Sequence, residues 1–216
     1  GEHVAFLSWG DILADQWGLL ELYVKDITDG SVVRASTDAN GGPPPFGGQA
    51  CSDPGHMCQG PPEWSPDGRI SFVSSGAFVQ GDTNLLPDLY VKNLGTGRVT
   101  WGSSANGAAT GGVCFLYGEC QAGAWSPDGS RVAFASFASD LVPGDTNGTY
   151  DVFVKELSSG AVQRVSTGSG GQQANGASLR PHWSPDGTQV MFDSTASNLV
   201  PGDTNAVSDT FIKTLQ

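Results

Sequence analysis

The chain has 216 residues, including 31 glycines and 13 prolines, and its formal net charge is −12 with 10 lysines and arginines. This acidic excess argues against nucleic acid as a partner, because little in the chain would neutralise phosphates, and against anionic membrane surfaces. It is compatible with a cation as partner. No apolar run reaches the ~20 residues that a membrane helix needs, so membrane insertion is not expected.

Three sequence phrases recur in the same order along the chain. WSPDG occurs at 64–68, 125–129 and 183–187, and each copy is followed by GDTN, at 81–84, 144–147 and 202–205. Each GDTN is followed by a strand-like run: DLYVKNL, DVFVKEL and DTFIKTL. The segment Glu21–Ile27 (ELYVKDI) repeats that run without a preceding WSPDG. A fixed period of roughly sixty residues indicates an array of like units.

Short runs rich in Val, Phe, Tyr and Thr, bounded by Gly, Asp and Pro, predict an all-β chain. In the third unit we expect a first strand ending in Trp125, then strands at Arg131–Ser136, Asp151–Leu157 and Ala161–Thr167. Ser-Pro-Asp-Gly after Trp125 and Ser-Ser-Gly at 158–160 predict the turns between them. Each complete unit is therefore a four-stranded antiparallel meander, and a stack of such sheets around an axis is a β-propeller.

The first and last units are predicted to be incomplete. The chain begins at a second strand (Val4–Ser8) and ends at a third strand (Thr210–Leu215). We expect one domain over residues 1–216, made of about four blades with approximate unit boundaries 1–37, 38–101, 102–167 and 168–216. Such a chain closes as a small ring, forms part of a larger ring, or is completed by another chain. The tryptophans of the three WSPDG copies (Trp64, Trp125 and Trp183) are expected to pack between blades.

Four cysteines form two close pairs, Cys51/Cys58 and Cys114/Cys120, each shortly before a WSPDG. Two local pairs predict two small disulfides and therefore an oxidising location: secreted, extracellular or at the cell surface. The alternative is one zinc site made of four thiolates. The six and five intervening residues within the pairs are longer than the usual spacing of zinc ligands, which favours disulfides.

The pattern Asp-x-Asn-x-x-x-Asp occurs three times, beginning at each GDTN. Its residues are Asp82, Asn84 and Asp88; Asp145, Asn147 and Asp151; and Asp203, Asn205 and Asp209. Carboxylate and amide oxygens in a glycine-led loop are ligands that calcium prefers, so we predict three calcium sites. The alternative is that these side chains cap turns without a metal. In the first unit Asp15 and Glu21 take the outer positions, but Trp17 replaces the amide, so that site is expected to be weak or empty.

WSPDG followed by an xVAFxS strand and an xxFVK strand resembles the repeat of the TolB-like β-propeller family. The longer form at Ala138–Thr167, with QANGAS at Gln173–Ser178, looks like a version common in secreted and surface-anchored bacterial proteins. The resemblance covers almost the whole chain and implies a propeller fold. It leaves the function open, because propellers host many activities.

The leading hypothesis is a non-enzymatic, secreted, calcium-binding propeller with a structural, self-assembling or adhesive role. Its partner would be a second copy, a surface protein or a glycan. One alternative is a calcium-dependent, lectin-like module in which Trp17, Trp101 and Tyr117 stack on sugars. Another is the propeller portion of a larger hydrolase or lyase. The sequence singles out no catalytic residue, and His182 beside Trp183 is interpreted as structural rather than as a channel ligand.

Overall fold

The computed structural model describes residues 2–9, 12–13, 21–43, 61–84, 86–105, 112–113 and 123–215. These residues form short β-strands arranged in four separate antiparallel sheets, which confirms the all-β prediction. Within the described ranges no helix is long and apolar enough to span a membrane. Both cysteine pairs, Cys51/Cys58 and Cys114/Cys120, lie outside these ranges, so the disulfides remain a prediction.

Each sheet is a meander of strands that are consecutive in the sequence. The first sheet contains β1 (His3–Ser8), β2 (Glu21–Asp26) and β3 (Val32–Arg34). The second contains β4 (Glu63–Trp64), β5 (Ile70–Ser74), β6 (Asp88–Lys92) and β7 (Val99–Trp101). The third contains β8 (Ala124–Trp125), β9 (Arg131–Ser136), β10 (Asp151–Glu156) and β11 (Val162–Arg164). The fourth contains β12 (Ser178–Trp183), β13 (Gln189–Ser194) and β14 (Asp209–Thr214).

The two outer sheets have three strands and the two inner sheets have four. Among the described residues the fourth sheet has no counterpart of the outer strand that β7 and β11 supply in the second and third sheets. Among the described residues no strand of the first sheet pairs with a strand of the fourth. The number of blades in a closed ring and the predicted unit boundaries therefore remain predictions.

The four sheets share one register. A lysine near the end of the long middle strand lies opposite an aliphatic residue of the preceding strand in every sheet. The pairs are Lys25 with Val4, Lys92 with Ile70, Lys155 with Val132, and Lys213 with Val190. Equivalent positions can therefore be compared directly from sheet to sheet.

The hydrophobic core lies between consecutive sheets rather than within any one of them. Leu22 and Val24 of the first sheet pack with Ile70 and Phe72 of the second. The same arrangement joins the second sheet to the third, and the third to the fourth. In a stack of repeated units each unit buries its apolar face against its neighbours, so each sheet depends on the adjacent sheets for stability.

The tryptophans of WSPDG hold neighbouring sheets together, which confirms the prediction made for them. Trp125 Nε1 donates to Ser71 Oγ of the preceding sheet at 3.0 Å, and Trp183 Nε1 donates to the Ala124 carbonyl at 2.9 Å. Arg69 and Arg131 of the preceding sheets lie over these two rings, 5.1 and 4.6 Å from the ring centroids. Cations over indole faces add to the attraction between sheets.

The register that the sheets share also places a buried lysine between the first and second sheets and between the second and third. Lys155 Nζ donates to the carbonyls of Trp101 at 2.7 Å and of Ser104 at 2.5 Å, both at the end of the second sheet. Lys92 Nζ binds the Thr37 and Asp38 carbonyls in the same way, at 2.8 and 2.9 Å. Burial lowers the pKa of Lys155 to about 8. These bonds give the buried ammonium groups acceptors at the point where each outer strand ends.

Candidate cation-binding loops

The three GDTN loops adopt one turn, built around the asparagine. The side-chain oxygen of Asn84 accepts a hydrogen bond from the Leu86 N–H at 2.8 Å. The Asn147 and Asn205 oxygens accept from the N–H groups of Thr149 at 3.1 Å and Val207 at 3.0 Å. An asparagine that bonds the backbone two residues ahead forms an Asx turn. Here the amide oxygen of each asparagine is used by the turn.

The other end of each asparagine amide faces the second aspartate of the pattern, at the start of the next strand. The Nδ2–Oδ2 distances are 3.3 Å for Asn84 to Asp88, 3.0 Å for Asn147 to Asp151, and 2.9 Å for Asn205 to Asp209. The fold therefore brings the predicted third and seventh positions together in all three loops. In this arrangement the asparagine is a donor to the carboxylate.

A serine two residues after the end of the outer strand fixes that carboxylate in the second and third sheets. Ser103 Oγ donates to Asp88 Oδ1 at 2.6 Å and accepts from the Leu89 N–H at 3.0 Å. Ser166 does the same with Asp151 Oδ1 at 2.5 Å and the Val152 N–H at 3.1 Å. In the first sheet Ser36 makes the equivalent pair of bonds with Glu21 and the Leu22 N–H. We call this arrangement the serine clasp.

The first GDTN loop holds two buried carboxylates close together. Asp82 is 5% exposed, and one of its oxygens accepts a hydrogen bond from the Tyr90 hydroxyl. Asp88 is fully buried, and burial raises its pKa to about 6, with the Asp82 charge adding to the rise and the bond from Ser103 opposing it. Burial also raises the pKa of Asp82. No lysine or arginine among the described residues forms an ion pair with either carboxylate.

The second GDTN loop contains the same pair of carboxylates but already has donors between them. Gln173 Nε2 lies 2.8 Å from Asp145 Oδ1 and 2.9 Å from Asp151 Oδ2, so it bridges the two groups. Arg164 Nη1 lies 3.7 Å from Asp151 Oδ2. Burial raises the pKa of Asp145, the Asp151 charge adds to this rise, and Gln173 and Arg164 oppose it. The loop is therefore compensated without a metal.

The third GDTN loop is open to solvent. Asn205 is exposed, while Asp203 and Asp209 are half-buried. Among the described residues the outer edge of the fourth sheet supplies no serine to Asp209, since β14 is the last strand of that sheet. In the first sheet, Glu21 is 2% exposed and bound by the serine clasp, whereas Asp15 and Trp17 lie outside the described residues. The expectation of a weak first-sheet site therefore stays a prediction.

A cation in any of these loops would have two carboxylates at most. No described point in the fold gathers three or more histidine, cysteine, aspartate or glutamate side chains. Calcium accepts such a set, because backbone carbonyls, amide oxygens and water complete its six to eight ligands. The asparagine oxygen keeps a second lone pair while it accepts the backbone N–H of the Asx turn, and that lone pair would have to face the cation.

Sequence reasoning did not identify Gln173 or the serine clasp. The clasp serine recurs at one position of the repeat, two residues after Arg34, Trp101 or Arg164. A comparison of RAS, WGS and RVS in the units would have found it. Gln173 lies in a segment that the resemblance pointed to, but no periodic signal connects it with Asp145. The bridge depends on how the connection to the fourth sheet folds back.

The sequence prediction that Trp101 stacks on sugars is wrong. Its side chain is 5% exposed and belongs to the core between the first and second sheets. Trp17 and Tyr117 lie outside the described residues. A separate groove of about 580 Å³ runs along the WSP segments of three sheets. Burial raises the pKa of Glu63 at this groove, and the exposed His182 beside it opposes the rise.

No family model and no curated protein matches the chain. Among solved structures, one match is an oligogalacturonate lyase in complex with manganese. The alignment covers 98% of this chain and 46% of the lyase chain, with 14% identity and a TM-score of 0.50. TolB from Acinetobacter baumannii matches 99% of this chain and 38% of its own, with 19% identity and a TM-score of 0.49. The alignment with the β-propeller domain of the trilobed protease from Pyrococcus furiosus covers 99% of this chain and 51% of that one, with 13% identity and a TM-score of 0.48.

These likenesses concern the fold alone. One of these three structures is described as a β-propeller domain. This chain spans less than two thirds of the length of each of the three structures.

Proposed function

We propose that this chain is a non-catalytic, calcium-binding array of propeller blades with a structural, self-assembling or adhesive role outside the cell. The observation that carries the proposal is the first GDTN loop, where Asp82 and Asp88 are both buried close together and have no ion pair among the described residues. Two ionised carboxylates repel each other in such a place. A divalent cation between them would remove the repulsion and offset the cost of burial.

The three loops should differ in affinity, although they share one sequence pattern. The first has buried carboxylates and Trp101 where the third sheet has Arg164. In the second loop Gln173 donates hydrogen bonds to both carboxylates and Arg164 forms an ion pair with Asp151, so calcium would have to displace Gln173. The third is solvated and pays less for leaving its carboxylates without a cation. We therefore expect the tightest calcium site at Asp82, Asn84 and Asp88.

A structural role follows from the place of this site in the blade. The loop connects the second strand of the sheet to the third, and the third strand lies in the core between sheets. Calcium at Asp82 and Asp88 would tie the loop to that strand and thereby stiffen the blade. Rigid blades in a row present a broad, regular surface, which suits assembly with a second copy or attachment to a surface protein or glycan.

Calorimetric titration with calcium, after removal of metal by EDTA, tests the proposal. Wild-type protein should bind calcium, and Asp82→Asn should remove the tightest site. Asp145→Asn is the matched control, because it changes the same position of the second loop, where Gln173 already bridges the carboxylates. Absence of calcium binding by the wild type, or equal losses in both variants, would overturn the proposal.

Electron microscopy of negatively stained protein separates the assembly role from calcium binding. Rings or fibres that form with calcium and disappear in excess EDTA would support calcium-stiffened assembly. Compact monomers in both conditions would contradict the assembly role and leave adhesion to another surface. Binding to a glycan array that EDTA abolishes would instead favour the lectin-like alternative.

A second candidate, the propeller portion of a larger lyase or hydrolase, is favoured by one observation. The chain matches only 46% of the lyase structure, so an enzyme of that kind contains much that this chain does not. Measurement of the intact mass of the natural protein would test this candidate. A mass close to 22.3 kDa would exclude it, whereas a much larger mass would support it.

A further inference from the structure

The triplet Ala-Asn-Gly recurs in the connections that follow the outer strands β3, β7 and β11. Its copies are residues 39–41, 105–107 and 174–176, and a fourth Asn-Gly pair, Asn147-Gly148, belongs to the second GDTN loop. An asparagine side chain before glycine is open to attack by the main chain, because glycine has no Cβ to shield its nitrogen or to restrict the backbone. Asn106 lies outside the described residues, and the other three asparagines have different surroundings.

Asn147 and Asn175 are held by hydrogen bonds at both ends of the amide. Asn147 Nδ2 donates to Asp151 Oδ2 at 3.0 Å and to the Ala174 carbonyl at 2.9 Å, and its oxygen is used by the Asx turn. Asn175 forms a reciprocal pair with Ser197, with Nδ2 to Oγ at 3.0 Å and Oδ1 to the N–H at 2.9 Å. Either side chain must break these bonds before it can reach the backbone nitrogen that follows it.

Asn40 is exposed, and among the described residues its side-chain amide has no hydrogen-bond partner. Gly41 is exposed as well, and nothing lies within 4 Å of the place that a Cβ on it would occupy. A Cβ on Gly176, by contrast, would lie 2.8 Å from the Ala196 nitrogen. Asn40 therefore has both a free side chain and room around the next peptide.

The turn that contains Asn40 holds the first sheet to the second. The carbonyls of Thr37 and Asp38 accept hydrogen bonds from the buried Lys92 Nζ at 2.8 and 2.9 Å. The Asp38 N–H donates to the Gly42 carbonyl at 2.9 Å, and Asp38 Oδ1 accepts from the N–H groups of Asn40 and Gly42. The place of the two carbonyls thus depends on the length of the main chain between Asp38 and Gly42.

We infer that Asn40 is a site of spontaneous deamidation, and that the isoaspartate formed there loosens the contact between the first and second sheets. The Gly41 nitrogen loses its proton and bonds to Asn40 Cγ, the Cγ–Nδ2 bond breaks, and ammonia leaves a cyclic succinimide. Water then opens the ring at either carbonyl and gives aspartate or isoaspartate. The bond that the nitrogen gives up, from Gly41 N–H to the Asp38 carbonyl, is long at 3.2 Å.

The two products differ in their effect on the turn. Isoaspartate adds one carbon to the main chain between residues 40 and 41, so the turn from Asp38 to Gly42 cannot close as before and the carbonyls that bind Lys92 shift. Aspartate adds the same negative charge and leaves the main chain unchanged. The inference is independent of calcium, and all its measurements are made in EDTA so that calcium cannot protect Asn147.

Mass spectrometry of proteolytic peptides, after incubation of the folded protein at neutral pH, measures the reaction at each asparagine. Conversion raises the mass of a peptide by the difference between –OH and –NH2. Asn40 should react at least about tenfold faster than Asn147 and Asn175, since these two must first leave their hydrogen bonds. In urea the three should react at similar rates, because each precedes a glycine. Equal rates in the folded protein, or a faster reaction at Asn147 or Asn175, would overturn the inference.

Urea denaturation of the incubated protein measures the consequence. Incubated wild type should unfold at a lower urea concentration than fresh wild type, whereas Asn40→Ser should be unchanged by the same treatment. Fresh Asn40→Asp is the matched control for charge and should unfold as fresh wild type does. An unchanged midpoint in wild type whose Asn40 has reacted, or an equal loss in fresh Asn40→Asp, would overturn the role given to isoaspartate.

Discussion

The second and third GDTN loops have nearly the same sequence and opposite surroundings. Asp151 is fully buried and is contacted by Ser166, Asn147 and Gln173. Asp209 takes the same position in the third loop but is half-buried, with Asn205 as its hydrogen-bond donor. The turn itself is the same in both. What differs is the outer strand and the connection that follows it. The motif therefore determines the turn, whereas the adjacent segments determine the burial and the hydrogen-bond partners of its aspartate.

The largest expected difference in free energy of unfolding is between the variants that remove Asp151 and Asp209. Asp151→Ala leaves Arg164, whose side chain is 9% exposed, without its carboxylate. Loss of one partner of a buried pair costs about 3 kcal/mol or more in free energy of unfolding. Asp209→Ala removes a half-buried group and should cost less than about 1 kcal/mol. Urea denaturation of both variants checks this, and similar losses would show that burial does not separate the loops.

A smaller difference in stability, at Asp88 of the first loop, should depend on pH. The pKa of Asp88 is raised to about 6 from its ordinary value of 3.8. A carboxyl group with a raised pKa stabilises the folded protein while it is protonated, and this contribution is lost as the pH rises through about 6. Without calcium, the wild type should therefore lose on the order of 2 kcal/mol relative to Asp88→Asn between about pH 4 and about pH 7.

Urea denaturation of the wild type and Asp88→Asn at both pH values measures this difference. Calcium at neutral pH should restore the wild type and leave Asp88→Asn unchanged, because only the wild type keeps the second carboxylate of the site. A difference between the two proteins that stays constant with pH would contradict the role assigned to the buried Asp88.

The smallest expected contrast concerns the apolar faces of the third and fourth sheets. Val154 and Ile212 occupy equivalent positions, two residues before the end of β10 and β14, but Val154 is 5% exposed and Ile212 is 64% exposed. Val154→Ala should cost about 1.5 kcal/mol, since it removes two buried methyl groups. Ile212→Ala should stay within about 0.5 kcal/mol. Equal effects in thermal unfolding would indicate that the face with Ile212 is covered in solution.

Much of the fold could be predicted from the sequence because it repeats. The positions of the strands in the third unit were predicted to within a few residues, although β11 is shorter (Val162–Arg164) than the predicted Ala161–Thr167. Thr167 instead forms an isolated bridge with Gln173. The role of Trp125 and Trp183 between blades was also predictable, since one residue at one position of a repeat faces one kind of neighbour.

The candidate site was only partly predictable. The pattern predicted that the asparagine and the second aspartate of each loop lie together, and Asn84, Asn147 and Asn205 do contact Asp88, Asp151 and Asp209. That the nine loop residues bind a cation stays a prediction. The pattern did not show which end of the Asn147 amide faces Asp151, and it did not find Gln173. Those depend on segments that lie far apart in the sequence and meet only after folding.

The sequence by itself determined that this protein is an array of short antiparallel sheets, because strand, turn and tryptophan recur at a fixed period. It also determined the local shape of each GDTN loop, which depends on hydrogen bonds within four residues. Only the tertiary structure decided which acids are buried and which are contacted by Gln173 and Arg164. Burial and long-range hydrogen bonds depend on the neighbouring segments. Asp151 and Asp209 take the same position in the motif but differ in burial and in hydrogen-bond partners, because their neighbours differ.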